Sequence, residues 1–291
     1  MNASKIIILV LIILAFGAGA YFKDDVIRFY NSLNKQVQDF QKIDIGQTLS
    51  QVSKEILAPT PLNIGGKASN VILLKSKIIE ETNLQRQEDR GSPALKENTL
   101  LDSVASAKAN DMFKNQYFEH VSPIGVDPGK LVQSFGYDYI VAGENLILGN
   151  FSSEKEVVQH WMNSPGHRAN ILNNRYAEIG VAVVKGTYKG ETVWIGVQEF
   201  GLPLSVCPSP DVDLKNQIDI VKPQLDYSAS QIDEKKIQIE EMNPRSAAYS
   251  QMVDDYNQLV AQYNLLADEL KSTIAVYNSQ VNIFNQCVAG Q

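Results

Sequence analysis

A chain of 291 residues with 44% hydrophobic content is long enough for more than one domain and has the composition of a folded protein, not a disordered one. Its formal net charge is −7 and no basic stripe runs through it, which excludes a surface built to track phosphates. Nucleic acid is therefore not an expected partner.

The first element is Ile6 to Phe22, an uncharged run of about 17 residues, just enough for a helix to cross a hydrocarbon core. Lys5 precedes it and Lys23-Asp24-Asp25 follows, so the N-terminus is expected in the cytoplasm and the bulk of the chain outside it. Residues 1–22 read as a signal anchor that makes the membrane a partner. Ala18-Gly19-Ala20 also offers a cleavage site, in which case the leader is a signal peptide and the protein is secreted. Over 23–66, Val26, Phe29, Tyr30, Leu33, Val37 and Phe40 recur at helical intervals and predict a stalk. Ala58-Pro59-Thr60-Pro61-Leu62 and then Gly65-Gly66 read as the linker that ends it.

A compact domain is expected over 67–205. Val71, Leu74, Ile78 and Ile79 mark one helix face. Leu101, Val104, Ala105, Ala109, Met112 and Phe113 mark a second, with Asn98 or Thr99 as its cap. Tyr139 to Leu148 reads as extended or turning. Ser152 or Ser153 caps a helix through Val157, Val158 and Trp161 that Pro165-Gly166 ends. Ile179 to Val184 and Thr192 to Phe200 are strand signals joined by a turn at Gly186 to Gly190. Helices followed by a hairpin make one layered domain of mixed type.

From 206 to 291 glycine becomes scarce. Leu214, Ile218, Val221, Leu225, Ile232 and Ile239 predict one helix, bent at Pro223. Tyr249, Tyr256, Tyr263, Leu270, Tyr277 and Phe284 repeat every seven residues, with Val253, Val260, Ala267, Ile274 and Val281 as the other seam position of a coiled-coil pattern. Asn243-Pro244-Arg245-Ser246 breaks the two, which predicts an antiparallel helical hairpin. At 1.5 Å per helical residue, Cys287 lies about 60 Å from the turn, and the helix back to Asp213 plus the extended stretch to Cys207 reaches about as far. Cys207 and Cys287 are thus expected to form a disulfide, in keeping with an exported chain, and closing that loop stabilises by about 4 kcal/mol in the chain-entropy treatment.

All three histidines fall between Tyr117 and Leu172, two of them in loop-like pieces flanked by Gly and Pro. ETNLQR, LDSVASAKANDM, NQYFEHVSP, AGENL, VVQHWMNSPGHRANIL, EIGVAV and VWIGVQEFG, in this order over about 135 residues, resemble the CAP (SCP-like) superfamily of cysteine-rich secretory, antigen 5 and pathogenesis-related 1 proteins in its bacterial secreted form. The resemblance implies fold class α/β, an α-β-α sandwich with a cleft, here with a transmembrane helix before it and the helical hairpin after it. The family cleft is often lined by two His and two Glu. His120, Glu144 and His167 match three of these positions, and Ser164 or Asn163 stands where the second Glu would fall.

Two imidazoles and a carboxylate are ligand types of an open zinc site, so Zn2+ or another divalent metal on His120 and His167 is a candidate cofactor. The same groups could do acid–base work, with Glu144 as the catalytic base. Either histidine could instead satisfy backbone carbonyls, and His160 is expected at the surface. The expected function is a tethered extracytoplasmic binding module whose cleft (His120, Glu144, Ser164, His167) takes a small apolar or lipid ligand, a peptide or a divalent metal. The alternative is an extracellular hydrolase of peptides or cell-wall material, and a third reading makes the hairpin the working part, pairing with a protein partner.

Overall fold

The computed structural model describes residues 54–66 and 70–290. The anchor at Ile6–Phe22 and the stalk at Val26–Phe40 lie outside the described residues. Among the described residues no helix is long and apolar enough to cross a membrane. The chain divides into two compact units, one running to Pro208 and including Cys287 onward, the other Ser209–Gln286.

The first unit is built on one sheet. Its strands are β1 (Glu55–Leu57), β2 (Leu62–Gly65), β3 (Lys96–Glu97), β4 (Tyr139–Gly149), β5 (Glu178–Tyr188) and β6 (Glu191–Pro203), in the order β1-β4-β6-β5-β3, with β2 also on β4. β4 and β5 flank β6 antiparallel, whereas β1 and β2 lie parallel to the outer edge of β4. The helices are α1 (Lys75–Arg90), α2 (Thr99–Asn115), α3 (Pro128–Ser134), α4 (Glu154–Asn163) and α5 (Pro165–Ile171). Side chains alternate across a strand, and this alternation sorts the core into two layers. Val141, Ile147, Trp194 and Phe200 pack with Ile78 of α1, Trp161 of α4 and Ile171 of α5. Leu146, Leu148, Ile195 and Val197 pack with Ala105, Ala109 and Met112 of α2.

The local signals work as their chemistry dictates. The Asn98 side chain accepts from Leu100 N and Leu101 N to open α2, and Ser153 Oγ accepts from Glu156 N to open α4. Tyr139–Gly149, read as extended or turning, is a strand buried along its whole length. Three features differ from expectation. The stretch 58–66, read as a linker, and Glu55–Leu57, assigned to the stalk, form β1 and β2. Ile56, Leu57, Leu62 and Ile64 have apolar side chains that pack against the core, and Pro59 and Pro61 fall between the two strands where no ladder donor is required. Pro165 does not simply end α4. It occupies the first turn of α5, where its missing N–H costs nothing. Helix α3, capped by Asp127, carries too short a pattern to be noticed in the sequence.

The second unit consists of α6 (Val212–Glu241, with Pro223 inside it) and α7 (Ala247–Ala289). Asp211 N donates to Gln280 Oε1 at 2.8 Å, and Lys235 meets Asp255 at 4.0 Å near the opposite end, so the two helices run antiparallel. Ile218, Leu225, Ile232 and Ile239 pack with Tyr256, Val260, Tyr263, Leu270, Ile274, Tyr277 and Val281 in one seam. Cys207 and Cys287 are disulfide-bonded with their Cα atoms 5.7 Å apart.

Gly180 of β5 shows how closely the layers approach. A Cβ placed there would run into the backbone of Leu101 and Asp102, which cannot move aside as a side-chain tip could. Gly180→Ala is expected to destabilise the first unit by about 3 kcal/mol, at the upper end of overpacking effects, measured by denaturant unfolding. An unchanged midpoint would show that α2 can drift off the sheet.

Candidate functional site

The outer edge of β4 is paired by β1 at Val141–Gly143 and by β2 from Ile147 to Gly149. Between them, at Glu144–Leu146, neither strand pairs, and the site forms in this gap. His120, on the loop after α2, bridges it. Its Nδ1 lies 2.5 Å from Glu144 Oε1 and its Nε2 lies 2.5 Å from the Pro59 carbonyl oxygen. A carbonyl only accepts, so Nε2 carries a proton. The His120 side chain is 12% exposed and that of Glu144 is 0%, so the pair is closed to bulk water on the acid's side.

The register places a second acid here that the sequence reading missed. Glu144 faces Glu199 across the β4–β6 ladder, and the even positions of β4 and odd positions of β6 point toward α2. Both carboxyls are buried, and both Glu199 oxygens and Glu144 Oε2 have no conventional hydrogen-bond partner among the described residues. Burial, and then the Glu144 carboxyl beside it, push the Glu199 acid well above the usual carboxylate range. Opposing them is Lys108 of α2, itself 2% exposed, whose Nζ donates to the His120 carbonyl at 2.5 Å. Burial lowers its pKa, while Glu144 and Glu199 hold the ammonium charged. Glu199 sits in the quoted piece VWIGVQEFG. A carboxylate inside an otherwise apolar strand was the available signal.

His167 arrives from the other side, on α5. Its Nδ1 meets Ser164 Oγ at 2.8 Å, so Ser164, standing where a second Glu was expected, orients the imidazole instead of supplying a charge. Nε2 has no partner among the described residues, and the residue is 1% exposed. Burial, then the charge of His120, lower its pKa to about 4, with the Leu146 carbonyl opposing weakly. His167 is therefore neutral at pH 7. The α5 helix is pinned by amides that the sequence reading also passed over: Asn145 Nδ2 donates to the His167 carbonyl at 3.2 Å, and Asn170 Nδ2 donates to Asn145 Oδ1 at 3.1 Å and to the Leu57 carbonyl at 3.0 Å. Arg86 of α1 donates Nη1 to the Ile171 and Asn173 carbonyls at the end of α5, where a cation complements the helix terminus.

The site thus brings together His120, Glu144, Glu199 and Lys108, with His167 and Ser164 alongside. His160 stands apart, 3.7 Å from Glu156 on the outer surface of α4. The arrangement does not fit a zinc centre. Among the described residues no three His, Cys, Asp or Glu side chains converge as a ligand set, and both His120 nitrogens are already engaged.

The sequence of residues 79–200, which contains both histidines and AGEN, matches the family model of the cysteine-rich secretory protein family. The chain carries a CAP domain. It is 37% identical over 166 residues to the uncharacterized protein YkwD of Bacillus subtilis, covering 52% of this chain and 63% of that one. It is 32% identical over 114 residues to the uncharacterized membrane protein YlbC of Bacillus subtilis, covering 39% of this chain and 32% of that one. The chain therefore spans less than two thirds of either relative. An extracellular protein of Bacillus anthracis containing an SCP domain is a structural neighbour with a TM-score of 0.37 and 30% identity, covering 44% of this chain and 39% of that one.

Two outcomes follow from the burial of the CAP site. An unfolded imidazole takes its proton near pH 6.5 and the folded His167 only near 4, so between these the unfolded state binds more protons and falling pH withdraws stability. Thermal unfolding from pH 7 to 4 should show a fall of several degrees in Tm that is absent from His167→Gln. Glu199 has the opposite sign: its folded pKa is raised, so its stability is present at low pH and lost as pH rises. Glu199→Gln should melt above the parent at pH 8, with the advantage shrinking toward pH 5. A constant offset would mean that the carboxyl does not titrate differently on folding.

Proposed function

We propose that the protein is a binding module held outside the cytoplasm by its Ile6–Phe22 segment, with the His120–Glu144 edge of the CAP domain as its recognition site. The observation that carries this reading is the double restraint on His120. A general acid or base needs a ring nitrogen that can meet substrate, and here one nitrogen is bonded to Glu144 and the other to a main-chain carbonyl. A ring fixed in this way recognises backbone. Export is supported by the disulfide, since structural disulfides form and persist mainly in oxidising compartments. Tethering is supported by the anchor-like leader and by a relative that is named a membrane protein.

Size narrows the ligand. A cavity of about 220 Å³ behind the His120 loop, bordered by Lys108, Asp111, Tyr117, Ile124, Val126 and Leu131, is smaller than the ~300–1,000 Å³ of sites that enclose drug-sized ligands. That cavity leaves no room for a whole lipid, and the stretch of the β4 edge that neither β1 nor β2 pairs suits an extended peptide. A protein partner for the hairpin remains a separate proposal. The second reading, hydrolysis with Glu144 as base, is favoured by the Glu199 acid beside it, whose raised pKa is of the kind found at catalytic sites.

The full chain should retain members of a pooled decapeptide library without cleaving them, and His120→Ala should weaken retention at least tenfold. A fluorescent fatty acid in the same assay tests the lipid alternative. Cleavage that disappears in Glu144→Ala would replace the binding reading with the hydrolytic one.

A further inference from the structure

The segment Lys54–Gly66 lies outside the stretch that matches the family, which begins at residue 79. None of its residues is fully buried, whereas every residue of β4 is. It touches the sheet along one neighbour only, in two short parallel registers, Glu55–Leu57 on Val141–Gly143 and Leu62–Gly65 on Ile147–Gly149. This is how a peptide ligand joins a sheet edge: main-chain pairing supplies affinity and alternate side chains supply selectivity.

What holds the segment is drawn from the site. His120 Nε2 takes the Pro59 carbonyl, Asn170 takes the Leu57 carbonyl, and Asn150 N donates to the Gly65 carbonyl at 2.7 Å. Arg175 Nη1 pairs with Glu55 at 2.5 Å. The Pro59 ring rests on Gly166, where an added Cβ would lie 2.7 Å from Pro59 Cβ. Pro59 and Pro61 fall at the break in the ladder, where a residue without an N–H gives up nothing and its restricted φ keeps the segment extended.

We propose that the outer edge of β4, from Val141 to Gly149, is a receptor for an extended, proline-centred peptide running parallel to it, and that Lys54–Gly66 of this chain is its resident occupant. The inference rests on the reading of the CAP domain as a peptide-binding module and adds its selectivity and its control. Small or apolar residues flank a proline seated over Gly166, and the site opens to a competitor when the chain's own segment lifts away. Release would free His120 Nε2 and the edge groups of β4 together, so a competing strand meets the same anchors that the segment leaves.

The test uses the full chain with Ile56→Asp and Ile64→Asp, which places charges on the two apolar footholds of the segment and leaves the receptor side untouched. The probe is a fluorescent peptide of the sequence Lys54–Gly66, followed by anisotropy. The substituted chain, confirmed folded by cooperative melting, should bind the peptide at least tenfold more tightly than the parent. Adding Gly166→Ala, which fills the notch under Pro59, should remove at least tenfold of that gain. Equal binding by parent and substituted chain, or none by either, overturns the proposal. Should the doubly substituted chain not fold, hydrogen exchange on the parent decides: amides of Leu57 and Ile64 should open at least tenfold faster than that of Val197 in β6, and matching rates overturn it. Binding of the fluorescent fatty acid without binding of the peptide would leave the module a binding protein and remove this inference alone.

Discussion

The site depends on an interruption. β4 is a central, wholly buried strand, yet its outer edge is left unpaired for three residues between β1 and β2. A buried edge with unmet backbone groups is costly, so something must fill it. His120 spans the gap, with the Glu144 side-chain carboxyl on one nitrogen and the Pro59 carbonyl on the other. Asn170 meets the edge backbone itself, donating to the Glu144 carbonyl and to the Leu57 carbonyl. Side chains thus take over the role of a strand at the point where the strand steps aside.

That arrangement places charge where water is absent. Two carboxyls face each other across β4 and β6, and a single buried ammonium, Lys108, answers them from α2. Burial first, and then the Glu144 carboxyl beside it, drive Glu199 toward its protonated form. His167 is kept neutral by the same desolvation. The cluster therefore balances by withholding charge as much as by pairing it. Removing Lys108 would withdraw the buried ammonium whose charge opposes these carboxyls and whose Nζ holds the His120 carbonyl.

Much of this could be read from the sequence where the signal was local. Asn98, Ser153 and the heptad seam of α7 declare themselves by spacing and capping chemistry, and the reach of two helices was enough to pair Cys207 with Cys287. His120, Glu144 and His167 were visible as rare polar residues in Gly- and Pro-flanked pieces. Glu199 and Lys108 were not, because their roles come from strand register and from which helix face meets the sheet, neither of which one strand or helix states by itself. The segment 58–66 was misread for a related reason. Pro-x-Pro followed by Gly-Gly is ordinary linker chemistry, and only the unpaired edge of a strand some eighty residues later turns it into structure.

The glycines of the motifs complete the geometry. At Gly143 an added Cβ would strike the Tyr176 hydroxyl and sit 3.1 Å from Asn170 Oδ1, so the residue before Glu144 must have no side chain if α5 is to hang from β4 by its amides. Tyr176 donates to that same Asn170 oxygen at 3.0 Å and stacks on Phe200 with ring centroids 5.2 Å apart, tying the hydrogen-bonded layer to the apolar one. Gly166 does the corresponding work one residue before His167, where Pro59 leans in. Glu144 and His167 are thus each preceded by a glycine whose missing side chain lets another segment come close. The chemistry of the pair His120–Glu144 and the closeness of three separate segments are one constraint, because a larger residue at either glycine would move the carbonyls and amides that hold the imidazoles in place.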